Sequence, residues 1–156
     1  MPMRRPSDRP SDGPSDGLSD GLSDRLKRAL PALARKLSDE RCELLLVPGA
    51  EGVFEVSFPE HDRLPIYVTD AGSNWLCVCY LWDEREIKPR QRTRLLDTLL
   101  DLNPAIALSS FGRIGTRFVL FGALGPDSSH DDLALELATL AENASDALAS
   151  LAEFLV

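Results

Sequence analysis

The chain has 156 residues and a formal charge of −8, with 44% hydrophobic and 27% charged residues. That length suits one domain plus a tail, and the composition is that of a soluble globular protein. The acidic balance argues against general affinity for nucleic acid or anionic lipid, whose phosphates reward clustered Lys and Arg.

No apolar run approaches the roughly 20 residues a membrane-spanning helix needs, so no membrane insertion is expected. Arg4 and Arg5 are followed by a Ser-Asp-Pro-Gly tract where a signal peptide would carry apolar residues, which makes the cytoplasm the expected location. Cys42, Cys77 and Cys79 are an odd number without an export signal and read as reduced thiols.

From Pro6 the chain repeats as PSDR, PSDG, PSDG, LSDG, LSDR. Proline removes backbone donors, glycine adds chain entropy and Ser-Asp offers nothing to bury. Residues 1–20 are therefore expected to be a disordered tail, and 21–156 a single α+β domain. Leu22, Leu26, Leu30, Leu33 and Leu37 mark one face of a first helix, with Ser19 or Ser23 as its cap and Pro31 kinking or restarting it.

Cys42 to Val47 is a short apolar run, and Pro48 to Gly52 a turn signal. Phe54, Val56 and Phe58 alternate with Glu55 and Ser57, as a half-buried strand does. Leu64, Ile66 and Val68 repeat the alternation, with Pro65 marking an edge or a strand start. The run Trp75 to Trp82 is apolar on both faces, so it should be a central strand covered on both sides or at an interface, its tryptophans and Tyr80 keeping a polar handle.

A second helix is expected from Pro89 to about Leu102, with Leu95, Leu96, Leu99 and Leu102 inward. Arg90, Arg92 and Arg94 crowd its first turns against the helix dipole, so Asp83, Glu84, Glu86 or acids on another helix should offset them. Residues 105–108 and Arg117–Ala123 read as a hairpin around the tight turn Phe111 to Gly115. Gly112 and Gly115 are expected to serve turn geometry. Ser128 and Ser129 start a long last helix with Leu133, Leu137, Leu140, Ala144, Leu148, Leu151 and Leu155 on one face and Glu136, Glu142, Asp146 and Glu153 on the other. The element order is α-β-β-β-β-α-β-β-α around an antiparallel meander.

Catalytic and metal chemistry find little support. Cys77 and Cys79 share a strand face, but a metal would need two more ligands from Cys42, His61 and His130, and structural zinc usually shows paired clusters. His61 sits in a polar loop and His130 at a helix N-terminus, neither with convergent partners. Gly122 to Pro126 could form an anion nest, yet Asp127, Asp131 and Asp132 would repel a phosphate. Gly112-Arg113-Ile114-Gly115 superficially matches a GxxG nucleic-acid clamp, but it lies between strands rather than helices. Lys88, Arg90, Arg92 and Arg94 read as a solvated face, with a local partner surface as the alternative.

No catalytic residue, metal ligand or cofactor is assigned, and the chain is not expected to be an enzyme. What remains is a surface for a partner or ligand: Tyr80, Trp82, Ser109, Ser110, Phe111, Gly112, Arg113, Gly115 and Arg117. The leading expectation is a module that binds another protein, with a homodimer as a further expectation. The rival is a small-anion sensor or enzyme using Arg113 or Arg117.

Several phrases resemble the YjfI-like family of small bacterial proteins. They are Leu64-Pro65-Ile66, Cys79-Tyr80-Leu81-Trp82, Asn103-Pro104 to Leu108, and above all Ser109-Ser110-Phe111-Gly112-Arg113 with Val119 to Leu124. The resemblance covers roughly Leu30 to the C-terminus. It implies a compact cytoplasmic domain with an accessory role beside phage-shock-type membrane-stress proteins, and it brings no catalytic residues. The element order also resembles the type III secretion chaperone fold shared by YbjN-like proteins, which implies dimerisation and protein binding.

Overall fold

Period-two alternation and short turns make a sheet of the chain's first half, and two helices enclose a hairpin in the second. The computed structural model describes residues 24, 28, 31–36, 42–50, 52–61, 64–71 and 73–156. The repeat tail, Ser19, Ser23, Leu22, Leu26, Leu30 and Leu37 lie outside the described residues. Helix α1 is described at 31–36, and residues 24 and 28 are also helical. Its Leu33 is fully buried in the core.

There follow β1 (Glu43–Leu46), β2 (Val53–Ser57), β3 (Ile66–Asp70), β4 (Trp75–Asp83), α2 (Arg92–Leu102), β5 (Ser110–Ile114), β6 (Arg117–Leu124) and α3 (His130–Leu151). This is the expected α+β order. The six strands form one sheet in the order β1-β2-β3-β4-β6-β5, with every pairing antiparallel. The Trp75–Trp82 run is the central strand that its composition demands, flanked by β3 and β6.

The register sorts side chains to two faces. Phe54, Val56, Ile66, Val68, Cys77, Cys79, Trp82, Phe111, Phe118 and Leu120 point inward, where they meet Leu33, the α2 residues Leu95 and Leu99, and the α3 residues Leu133, Leu137, Leu140 and Ala144 in one core. The outer face carries Val53, Tyr67, Leu76, Val78, Tyr80, Val119 and Phe121. Val78 and Val119 are buried there among their neighbours but stand apart from the helix-covered core. Both sides of β4 are apolar as expected, but the described helices cover only one of them.

Helix α3 starts as its sequence indicates. Ser129 is its N-cap: its hydroxyl accepts from the Asp132 amide at 3.1 Å, and Asp132 accepts from the Ser129 amide at 2.9 Å. That reciprocal pair satisfies two helix-end donors. Lys36 pairs with Asp131 and ties α1 to the same end.

Three expectations are corrected. Helix α2 starts at Arg92 rather than Pro89, because Arg90 takes a left-handed backbone (φ 68°) that ends the preceding turn. The hairpin strand is Ser110–Ile114 rather than 105–108, and its turn is only Gly115–Thr116. Gly115 serves that turn at φ 61°. Gly112 lies in the strand, where a Cβ would come within 2.9 Å of the Phe121 ring, so it serves close packing. Finally, Glu136 is buried under the sheet rather than on the solvent face of α3.

Candidate partner-binding site

The exit of β4 is a short charged stretch, and it pins the β5–β6 hairpin. Asp83 caps a 3-10 turn at Glu84–Glu86. Its carboxylate accepts from the Arg85 amide at 3.0 Å, the Arg85 guanidinium at 2.8 Å and the Thr116 hydroxyl at 2.8 Å. These bonds, led by the Arg85 amide, hold its carboxyl down at about 2. The Glu84 amide donates to the Thr116 carbonyl at 2.8 Å, so the hairpin turn is fixed from both sides of the chain.

Glu84 then accepts from two arginines. Arg113 Nη1 donates to it at 2.8 Å, and Arg92 Nε pairs with its other oxygen. The hydrogen bond from Arg92 is the leading cause that lowers the Glu84 carboxyl, and Arg113 adds to it. The remaining helix arginine is also offset: Arg94 reaches Glu153 at 3.4 Å and lies 5.1 Å over the Phe154 ring. The acidic compensation anticipated for this crowded helix start thus comes from Glu84 and from Glu153 beyond α3.

Beside this knot a groove of about 380 Å³ runs between α2 and β5, lined by Arg92, Leu96, Leu99, Leu100, Asn103, Phe111, Gly112, Arg113 and Phe118. Its walls are mostly apolar, and Leu100 stands 68% exposed on its rim. Asn103 closes one end by accepting from the Phe111 amide at 2.6 Å. Leu96, Leu100 and Asn103 repeat at spacings of four and three, a second stripe beside the buried Leu95 and Leu99. Sequence reasoning missed Leu100 and Asn103 as site residues, and that stripe is the one signal that pointed toward them; Glu84 and Arg92 were anticipated only as a charge balance.

The residues expected at the site divide four ways. Phe111, Gly112 and Arg113 line the groove, with Ser110 beginning the same strand. Tyr80 and Arg117 are on the outer face, where the Arg117 guanidinium lies 5.3 Å over the Tyr80 ring and Tyr67 meets Tyr80 edge-on at 5.9 Å. An open depression of about 360 Å³ lies there among Val53, Tyr67, Thr69, Leu76, Val78, Tyr80 and Ile114.

Trp82 and Ser109 are interior. Trp82 is 3% exposed and stacked on Phe118 at 5.7 Å. Register shifts between Tyr80 and Trp82, so Leu81 is an extra residue and two side chains that simple alternation would align point to opposite faces. The indole N–H groups of Trp75 and Trp82 are buried without a partner, contrary to the polar handle expected of them. Ser109 is buried and accepts from the Asn143 side chain at 3.1 Å, which also reaches the Ala107 carbonyl. Gly115 sits at the hairpin tip.

Arg113 and Arg117 do not converge. Arg113 pairs with Phe118 and Arg117 with Ile114 across the hairpin, so the two guanidiniums leave on opposite faces. A shared anion between them is therefore excluded by the register. Cys77 and Cys79 share the inner face of β4, where desolvation pushes both thiols up, that of Cys79 to about 12. His61 packs edge-on to Phe58, and among the described residues no cluster of His, Cys, Asp and Glu could hold a metal ion.

One buried acid stands apart. Glu136 on α3 lies against Gly122 of β6, where an added Cβ would fall 1.4 Å from its Oε1. That oxygen is buried with no hydrogen-bond partner, and desolvation raises the carboxyl to about 6.

This six-stranded antiparallel sheet with its helices on one face defines an α+β domain, the class expected from the element order. A chain of the heterodimeric ExoU–SpcU complex from the type III secretion system of Pseudomonas aeruginosa aligns with TM-score 0.51 and 18% identity, over 65% of this chain and 84% of that one. YbjN of E. coli, a proposed transcription regulator, aligns with TM-score 0.59 and 13% identity, over 81% of this chain and 94% of that one. At these identities the likeness is one of fold. The chain belongs to the DUF2170 family of uncharacterised proteins conserved in bacteria, which it matches over residues 23–155. Among curated proteins none matches it. No described helix is long and apolar enough to cross a membrane.

Proposed function

We propose that this chain is a non-enzymatic module that binds another protein in the cytoplasm. The observation that carries the reading is the apolar groove between α2 and β5, with exposed Leu100 on its rim and the Arg92–Glu84–Arg113 knot at one end. Apolar concavities edged by a few placed charges are what polypeptide partners use as anchors. The fold supports the reading by analogy, since a neighbour of similar fold belongs to a heterodimeric protein complex. Within it, the partner acts in a phage-shock-type membrane-stress response, as the family resemblance implies. A homodimer through the open outer face is compatible with it, and light scattering on concentrated protein decides that part.

The test is affinity purification of the tagged full chain from its native cells. A protein retained by wild type and by Leu135→Asp, a change at an exposed site on α3, should be lost with Leu100→Asp. Identical retention by all three overturns the reading. Recovery of a groove-dependent partner with no part in membrane stress removes only the stress assignment.

A further inference from the structure

Resting on the protein-binding reading of the same groove, we propose that it takes an extended acidic segment of another protein, added as a strand along the free edge of β5. The edge is set by topology, because β5 is the last strand of the sheet. Ile114 and Arg117 flank the two-residue turn, and such a closing pair exchanges hydrogen bonds. Bonded pairs then recur at every second residue, so Phe111 and Arg113 turn their N–H and C=O groups away from β6. The Phe111 amide bears this out by donating outward to Asn103 Oδ1. The Asn103 carboxamide therefore occupies the place of a neighbouring strand's carbonyl. No backbone group among the described residues takes up the outward groups of Arg113.

Edges of this kind are commonly blunted by proline, by bulges or by a covering helix. Here α2 runs alongside yet leaves the groove open. A strand laid on β5 would send alternate side chains to its two faces. One set would enter between Leu96, Leu100 and Phe111. The other would lie beside Gly112, which has no side chain, and Ile114, which is 46% exposed. A helix would fill the same apolar space but leave the outward backbone groups of Arg113 without partners, which disfavours it.

Charge sets the chemistry of the segment. The charged side chains that line the groove are both arginines, Arg92 and Arg113, and the carboxylate of Glu84 that they share lies outside the lining. An Asp or Glu of the segment fits there in a charge-assisted pair. The remainder of this acidic chain would repel such a residue, so the charge also fixes where along β5 the segment sits.

The experiment uses the full chain to select peptides from a phage-displayed random library. Selected peptides are then synthesised unmodified, with alternate backbone amides N-methylated in each of the two registers, and with Asp or Glu replaced by the amide. Binding is read by fluorescence anisotropy against wild type, Leu100→Asp, Arg113→Ala and Arg113→Pro, each checked for a native circular-dichroism spectrum. Proline is tolerated on edge strands and removes the outward amide.

The expected peptides alternate apolar and polar residues and carry a carboxylate near one end. N-methylation in one register, but not the other, weakens binding about tenfold, as loss of one or two hydrogen bonds would. Arg113→Pro weakens it more than Arg113→Ala, and Leu100→Asp abolishes it. Peptides lost with Leu100→Asp but indifferent to N-methylation in both registers overturn strand addition and leave the protein-binding reading intact. An absence of peptides sensitive to Leu100→Asp overturns both. Light scattering that shows a dimer broken by Leu100→Asp makes a second copy the occupant and also overturns the proposal.

Discussion

The two faces of β6 show two ways of burying a strand. Inward, Phe118 and Leu120 are covered by helices, and Gly122 gives up its side chain so that α3 can lay Glu136 against the sheet. Outward, Val119 is just as buried but is covered only by the side chains beside it, and Arg117 shields Tyr80 at the margin. The inner face is thus fixed by depth, where a misplaced atom has nowhere to go. The margin of the outer face and the β5 edge are less enclosed, so changes of residue there are expected to cost less.

Substitutions can break or sharpen that contrast. The largest effect is expected at Trp82, next to Tyr80 across the bulge. Trp82→Ala should cost about 4 kcal/mol in urea unfolding, the scale for emptying a core aromatic site. A loss below about 1 kcal/mol would mean that Trp82 is not a core residue. Next, Gly122→Ala drives a methyl into the Glu136 carboxyl and should cost about 3 kcal/mol by overpacking. Adding Glu136→Ala to it should restore part of that loss, a coupling measurable in a double-mutant cycle.

Glu136 itself predicts a pH dependence. Its folded value of about 6 lies above the ordinary 4.5, so the folded chain binds the proton more tightly than the unfolded one. Its contribution is fully present below pH 4.5 and is lost as pH rises through 6, amounting to roughly 2 kcal/mol. Glu136→Gln should flatten stability across that window in urea titrations at several pH values; an unchanged slope would place the carboxylate in water. Asp83 runs the opposite way. Its depressed carboxyl stabilises the hairpin anchor above about pH 4 and ceases to do so as pH falls toward 2. Asp83→Asn should therefore lower Tm at pH 7 and lose that effect in acid.

The smallest effects belong to the outer face and the edge. Tyr80→Ser should cost about 1 kcal/mol, the worth of a half-buried aromatic pair with a cation over it. Arg113→Ala should leave the urea midpoint in place, since an exposed ion pair adds little to folding. A large loss at either position would erase the distinction between a structural and an adaptable side of the hairpin.

Much of the fold was legible because its signals are local. Alternation in 53–58 and 64–68, the two-sided apolar run 75–82, and the Ser129 cap before a three-and-four leucine pattern each state their element without reference to the rest of the chain. Boundaries slipped where local chemistry was ambiguous. Pro89 looks like a helix start, but the left-handed Arg90 separates it from α2. Two glycines bracketing Arg113 look like one turn, yet only Gly115 has a positive φ. At the site, the strand containing Phe111, Gly112 and Arg113 was visible as a distinctive phrase, whereas the α2 wall facing it was not, because Leu100 and Asn103 gain meaning only from what lies opposite.

By itself the sequence determined the element order, the antiparallel sheet, the two-sided apolar character of the strand that carries Cys77 and Cys79, and the crowding of arginine at the start of α2. Tertiary structure alone decided that Glu136 is interior, that a bulge at Leu81 parts Tyr80 from Trp82, and that Arg113 and Arg117 leave the hairpin on opposite faces. The reason is physical. Periodicity records which residues share a side of one element, but which side meets a helix, a neighbouring strand or solvent is settled by register and close approach between segments far apart in the chain.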